Sequence, residues 1–196
     1  MNPNPRTLEQ RLSDSGNVGR PPVFDTADVA YAVTDTPIGR MLLARKDAGA
    51  LVASTFVPDD AAEQVWVDRL GRAFSPRVLR LPRALDDARR QLDEYFAGRR
   101  HAFDLTTDLA LATPFQRSVL TALAATVAYG QRSTYARVAT CIDRPSASRA
   151  VGAALGSNPL CVLMPCHRVV GSTGMLTGYA GGLPAKMLLL ELESHG

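Results

Sequence analysis

The sequence predicts a mixed α/β (α+β) protein in two parts, a small antiparallel sheet with helices followed by a mostly helical half. Three observations lead there. Residues 29–57, VAYAVTDTPIGRMLLARKDAGALVASTFV, alternate apolar and polar side chains around turn signals at Pro37-Ile38-Gly39 and Asp47-Ala48-Gly49, as strands do. From Thr113 onward the apolar spacing becomes helical, with Phe115, Val119, Leu120, Leu123 and Val127 on one stripe. A length of 196 residues suits one compact domain or two small ones and is ample to bury a core.

The elements follow in order. Residues 1–26 carry Pro, Gly, Asn and Ser with little periodicity and are expected to form a loosely held, flexible N-terminal tail. The strands of 29–57 come next, and Asp59 and Asp60 stand where they can cap a helix through AAEQVWVDRLGRAF. A short strand is expected near VLRL. The segment ALDDARRQLDEYFAG places Ala84, Ala88, Leu92, Tyr95 and Phe96 on one helical face, and Gly98 ends it. HAFDLTTDLAL reads as a further strand. Residues 27–112 therefore form an N-terminal α/β unit whose role is structural, since no catalytic residue types cluster in it. Residues 113–196 form the second unit, opened by Thr113 as N-cap and Pro114 at the first helical position.

Composition limits the classes of function. With 46% hydrophobic and 21% charged residues and no unbroken apolar run of bilayer length, the chain reads as a soluble cytoplasmic protein with no membrane partner. Its N-terminus lacks the charged head and apolar core of a secretory signal. Cys141, Cys161 and Cys166 are odd in number and have no CxxC spacing or clustered histidines, which argues against a disulfide framework and against a metal site. Charge is uneven along the chain. Residues 113–196 hold seven basic side chains against three acidic ones, and residues 1–112 hold 15 against 16, so the second half is the one suited to a polyanion.

After Ser133-Thr134, YARVATCI reads as a short helix broken by Asp143-Arg144-Pro145, and Ser146 is placed to cap a second helix, ASRAVGAAL. Two short helices with a tight break fit a helix-turn-helix; they also fit an αα-hairpin that merely packs, the far commoner arrangement on this pattern alone. The second helix offers Ala150, Gly152 and Ala153 but few hydrogen-bond donors, so any contact with DNA would be close and blind to base sequence. Arg149 is then a wedge for the base stack, or simply a solvated cation.

Cys141 and Cys161 sit among apolar residues and read as small buried hydrophobes. Cys166 differs. In MPCHRV it follows Pro165, which biases Met164 toward an extended conformation and presents the thiol at the turn that ends the apolar run 160–163. His167 and Arg168 add a positive field that favours the thiolate. Adjacent side chains of an extended segment point to opposite faces, so the thiol needs a turn or a bridging water to reach the imidazole, and the imidazole needs Glu191 or Glu193 as its carboxylate.

The stretches TPFQRSVL, VAYGQRSTYARVA and RPSASRAVGAALGSNPLCVLMPCHRVVGSTGMLTGYAGGLPAKMLLLELE resemble the O6-alkylguanine-DNA alkyltransferases, or methylated-DNA–protein-cysteine methyltransferases. The resemblance is strong from about 113 to 193 and looser from about 30 to 112. It implies a ribonuclease H-like fold for the first unit and a winged-helix-like fold, with the helix-turn-helix, for the second. It implies direct damage reversal: Cys166 takes the alkyl group from O6 of guanine in double-stranded DNA and keeps it, in a single turnover without cofactor, with O4-alkylthymine left open as a second substrate. His167 acts through a water on the thiol, Glu193 orients His167, and Asn158 braces the turn. Tyr135 assists rotation of the nucleotide and donates to the base, Arg149 fills the vacated stack, and Thr134, Ala150, Gly152 and Ala153 face DNA. The carbonyls of Cys166 and Val169 accept from the guanine amine, and Tyr179, Ala180, Gly181 and Gly182 close over the alkylated base. The protein is expected to be a monomer, with cooperative binding to DNA left open.

Three departures stand out against the family. Ala180 replaces a common serine, which implies a changed tolerance for bulky alkyl groups. Leu120 replaces a tryptophan usual in bacterial relatives. The first 112 residues contain no cysteine, so the zinc ligands of some relatives have no counterpart. Two rival readings share these residues: a protein that binds alkylated guanine only to flag it, and a thiol hydrolase built on Cys166 and His167.

Overall fold

The computed structural model describes residues 28–47 and 49–195; the expected tail over 1–26 lies outside them. Strands β1 (Val29–Thr36), β2 (Gly39–Lys46) and β3 (Leu51–Phe56) form an antiparallel meander, and β4 (Val78–Arg80) joins β1 in parallel, giving the order β3-β2-β1-β4. Thr36 pairs with Gly39 across a two-residue turn, and Gly39 takes φ 119°, a backbone conformation open to glycine.

Strict alternation fails in β2, where Met41, Leu42, Leu43 and Ala44 are all buried. Both faces of the sheet are covered, so both parities of side chain are apolar. Helix α1 (Asp60–Ala73) covers one face, its Leu70 clustering with Val29, Leu42, Ala44, Val52 and Val57. Asp59 caps it by accepting from the Ala62 N–H. A 3-10 turn (Pro82–Leu85) and α2 (Asp86–Phe96) cover the other face through Leu85, Ala88, Leu92 and Tyr95. Gly98, at φ 70°, follows the end of α2.

The strand expected over HAFDLTTDLAL reduces to one bridge, Leu51 with Thr107. The outer edge of β3 is divided between two segments: residues 106–108 take the groups of Leu51, and Pro159–Cys161 take those of Ser54. No edge remains for a longer pairing.

The second half begins with α3 (Pro114–Thr126), closed by a capping box between Thr113 and Gln116. Strand β5 (Ser133–Thr134), α4 (Tyr135–Cys141) and α5 (Ser148–Gly156) follow, and the break between the two helices places Asp143 at φ 56°. Ser146 does not cap α5. The N-cap is Ala147, without a side-chain bond, because its own N–H closes a turn onto Arg144 O and leaves Ser146 exposed. Strand β6 (Val169–Val170) pairs in parallel with β5, and α6 (Gly182–Leu192) ends the fold. Side chains from both halves, among them Leu92, Tyr95, Leu120, Leu123 and Leu189, share one apolar cluster. Leu120 is fully buried in it, so the smaller side chain is accommodated within a continuous core.

Candidate active site and DNA-facing surface

Cys166 opens a 3-10 turn, Cys166–Arg168, between the 158–164 loop and β6. The run 160–163 is not a strand. Val162 takes φ 72°, costly for a β-branched residue by about 1–3 kcal/mol, and folds the chain back so that Cys161 faces Met164. Asn158 organises this loop: its Nδ2 donates to Met164 O at 2.9 Å and to Cys166 Sγ at 3.1 Å, while its Oδ1 accepts from Leu160 N at 2.9 Å. Cys166 is 6% exposed, so its side chain is largely shielded from bulk water.

His167 is fully buried beside it. Its Nε2 lies 3.0 Å from Glu193 Oε1, so the ring donates there and leaves Nδ1, which has no hydrogen-bond partner among the described residues, as the acceptor. Burial lowers the imidazole's affinity for a proton more than Glu193 raises it, so the ring is neutral at neutral pH. Glu193 accepts from Arg168 Nε at 2.8 Å and Nη2 at 2.8 Å and from Tyr95 Oη at 2.6 Å. Burial alone would raise its pKa; the bonds from His167, Arg168 and Tyr95 prevail and hold it at about 2. Of the two glutamates the sequence offers, Glu191 is exposed and takes no part.

The positive field at the thiol has another source than expected. Arg168 is neutralised by Glu193 and His167 is uncharged. The cation acting on Cys166 is Lys186, fully buried on α6 and donating to Val169 O at 2.6 Å and Thr177 O at 3.1 Å. A hydrogen bond from Cys161 lowers the Cys166 pKa most, burial opposes it, and Asn158 and Lys186 add to the lowering. Lys186 had a readable signal: with Leu189, Leu190 and Glu193 it repeats at helical spacing on one face of α6.

The remaining predicted residues divide between this site and the surface. Tyr135 Oη bonds Thr177 Oγ1 at 2.5 Å, and its ring lies 3.6 Å from where a Cβ on Gly152 would stand, so Gly152 makes room for Tyr135. Thr134 Oγ1 accepts from Arg137 N and caps α4. On α5, Val151, Ala154 and Leu155 are buried while Arg149, Ala150 and Ala153 are exposed, a small-residue face with one cation. Tyr179 packs edge-on to Phe56, 5.5 Å between centroids, and its buried Oη has no hydrogen-bond partner among the described residues. A Cβ at Gly181 would come within 2.4 Å of the Phe56 ring, so only glycine lets this loop lie against β3. Ala180 is exposed. Val169 is buried with its carbonyl on Lys186. Cys161 is buried as expected, but Cys141 is exposed, because α4 turns Val138 and Ala139 inward.

Two family profiles match the chain in succession: the ribonuclease-like domain of 6-O-methylguanine DNA methyltransferase over residues 29–109 and its DNA-binding domain over 114–195. The chain belongs to this family. Among methylated-DNA–protein-cysteine methyltransferases, that of Mycobacterium tuberculosis is 48% identical over 168 residues, covering 84% of this chain and 92% of the relative. That of Mycolicibacterium paratuberculosis is 40% identical over 169 residues, covering 84% and 92%. The crystal structure of Mycobacterium tuberculosis OGT in complex with DNA superposes with TM-score 0.72 at 37% identity, over 85% of this chain and 93% of that one. The methyltransferase members thus share the two-part architecture seen here. Tyr95, Ser54 and Phe56 reach the site from the first half, whose sequence predicts only a structural role; their types carry no chemical signature, and only the fold brings them to residues about a hundred positions away.

Proposed function

We propose that Cys166 is the alkyl acceptor, taking the group from O6-alkylguanine in double-stranded DNA after the nucleotide has been rotated out of the duplex. The activity is that of the family, S-methyl transfer from methylated DNA to a protein cysteine, a direct reversal of damage. One observation carries the assignment: the Cys166 sulfur lies under the Asn158 amide and the Lys186 charge, beside a neutral imidazole that Glu193 orients.

In this reading the residues act in sequence. Arg149 enters the stack that the base leaves, while Ala150, Gly152 and Ala153 let α5 approach the groove; extrusion costs a few kcal/mol, least for a poorly paired base. Tyr135 and the carbonyls of Cys166 and Val169 hold the guanine, and Tyr179, Ala180 and Gly181 close over it. The thiol proton passes to His167 Nδ1 through a water, Glu193 stabilising the imidazolium. Sulfur then forms a bond to the alkyl carbon as the carbon–O6 bond breaks, and the proton ends on the released guanine. Atoms and electrons balance between thiol and base, and the thioether is not reversed, so each chain reacts once. Residues 27–112 support the site and 113–196 carry DNA and acceptor. We place the protein in the cytoplasm as a monomer.

Intact mass after incubation with an oligonucleotide carrying O6-methylguanine tests this. One methyl per chain, mapped to Cys166 and absent in Cys166→Ala, is expected. Tight binding without mass gain would mean a flagging role, and repeated turnover of an ester or peptide would mean a hydrolase.

A further inference from the structure

A cavity of about 470 Å³ opens between the end of α3, the turn 127–132 and α4, and no residue of the acceptor site lines it. Arg132 and Arg137 do line it, and neither makes an ion pair among the described residues. No carboxylate is among the lining side chains. Gln131, also on its wall, uses its Oε1 to accept from the Ala128 N–H at 3.3 Å, and its Nε2 has no hydrogen-bond partner among the described residues.

Ser133 adds a separate observation. The residue is only 6% exposed, it lines the cavity, and its Oγ makes no hydrogen bond among the described residues. Its backbone is fixed, because β5 pairs with β6 through Ser133 and Val169. A hydroxyl so placed has lost most of its water and gained no protein partner, which leaves it free to donate to whatever enters. The wall thus offers two guanidinium groups, an amide N–H₂ and a hydroxyl, all donors, around one space.

We propose that this cavity is a phosphate-binding site, with Arg132 and Arg137 neutralising the charge and Ser133 Oγ and Gln131 Nε2 donating to the oxygens. Guanidinium groups pair with phosphate oxygens two at a time, and a phosphate group carries more acceptor oxygens than a carboxylate, enough to answer all four side chains. A DNA strand is one source of the group, since the first helix of a helix-turn-helix crosses the backbone and α4 is that helix. A small phosphorylated molecule presents the same chemistry. The DNA source rests on the binding proposed above; the site itself does not depend on the alkyl acceptor.

Two titrations of the full chain test this. Inorganic phosphate, followed by the NMR shifts of the Ser133 and Arg137 amides, should give saturable changes in wild type and none in the double variant Arg132→Gln, Arg137→Gln. Ser133→Ala, which removes no charge, should weaken that binding about tenfold. Undamaged duplex, titrated across salt concentrations, identifies the source. If DNA supplies the group, the double variant should lower the slope of log affinity against log salt by about 0.9 for each phosphate given up, and Ser133→Ala should weaken duplex binding at unchanged slope. If a free molecule supplies it, duplex binding should be the same in all variants while the phosphate shifts are lost. Absence of a saturable shift in wild type together with an unchanged duplex slope would overturn the site. So would an arginine effect that Ser133→Ala does not share, the mark of solvated surface cations. Each result stands whether or not Cys166 accepts a methyl group.

Discussion

The two halves of the chain treat most of their basic side chains differently, although Arg72, Arg83 and Arg99 of the first are also exposed and outside any ion pair among the described residues. In the first, Arg40 pairs with Asp60 and Glu63, Arg45 with Asp87, Lys46 with Asp108, and Arg90 and Arg100 with Glu94. In the second, Arg117, Arg132, Arg137, Arg144 and Arg149 are exposed and make no ion pair among the described residues. Paired charges cancel within a few ångströms, whereas unpaired cations project a field toward solvent to about a Debye length, roughly 8–10 Å. The half that meets DNA is thus marked less by the number of its arginines than by what they are not bound to. Arg168, its one arginine in an ion pair among the described residues, is buried on Glu193.

The sharpest break in this comparison is Cys166→Ala. Transfer should fall to background while binding to duplex DNA persists, since no surface cation changes; mass spectrometry and a mobility-shift titration read the two. Next is Glu193→Gln. Leaving Arg168 buried without its carboxylate should cost about 3–5 kcal/mol in denaturant unfolding. It should also change acid stability. Glu193 is held at about 2, below its unfolded value, so it contributes stability above the ordinary carboxylate range that is lost as pH falls toward about 2. His167 is depressed by burial, so its contribution is likewise lost on acidification, beginning below the unfolded histidine pKa. Unfolding midpoints measured against pH should retain the histidine step and lose the carboxylate step in Glu193→Gln.

Arg149→Ala should slow transfer from duplex DNA about 10–100-fold, the equivalent of a few kcal/mol of unstacking, and leave reaction with free alkylated base nearly unchanged. Equal losses on both substrates would remove Arg149 from the stack. The smallest effect is electrostatic. Arg137→Gln should lower the slope of log affinity against log salt by about 0.9 if that side chain meets a phosphate, whereas Arg90→Gln, paired with Glu94 in the first half, should leave it unchanged.

Much of this was readable in one dimension because local rules suffice for it. Thr113 and Pro114 announce α3, Asp59 announces α1, and PCHRV with GYAGG marks the loop proposed as acceptor and its proposed cover. What misled was local pattern without knowledge of competitors. HAFDLTTDLAL has strand-like alternation, yet β3 has already given half its edge to Pro159–Cys161. Ser146 is a good cap type, yet the turn onto Arg144 starts α5 later. His167 and Arg168 look cationic in sequence, yet burial silences one and Glu193 the other.

By itself, the order of residues determined most of the helices and strands, which half carries the excess of positive charge, and which cysteine follows a proline. These depend on neighbours within a few positions or on simple totals. The tertiary structure alone decided that Tyr95 and Ser54 reach a site in the other half and that Lys186 supplies its charge. Those facts depend on distance and on a low-polarity interior, where a carboxylate, an imidazole or a thiol takes its charge from what folding places beside it.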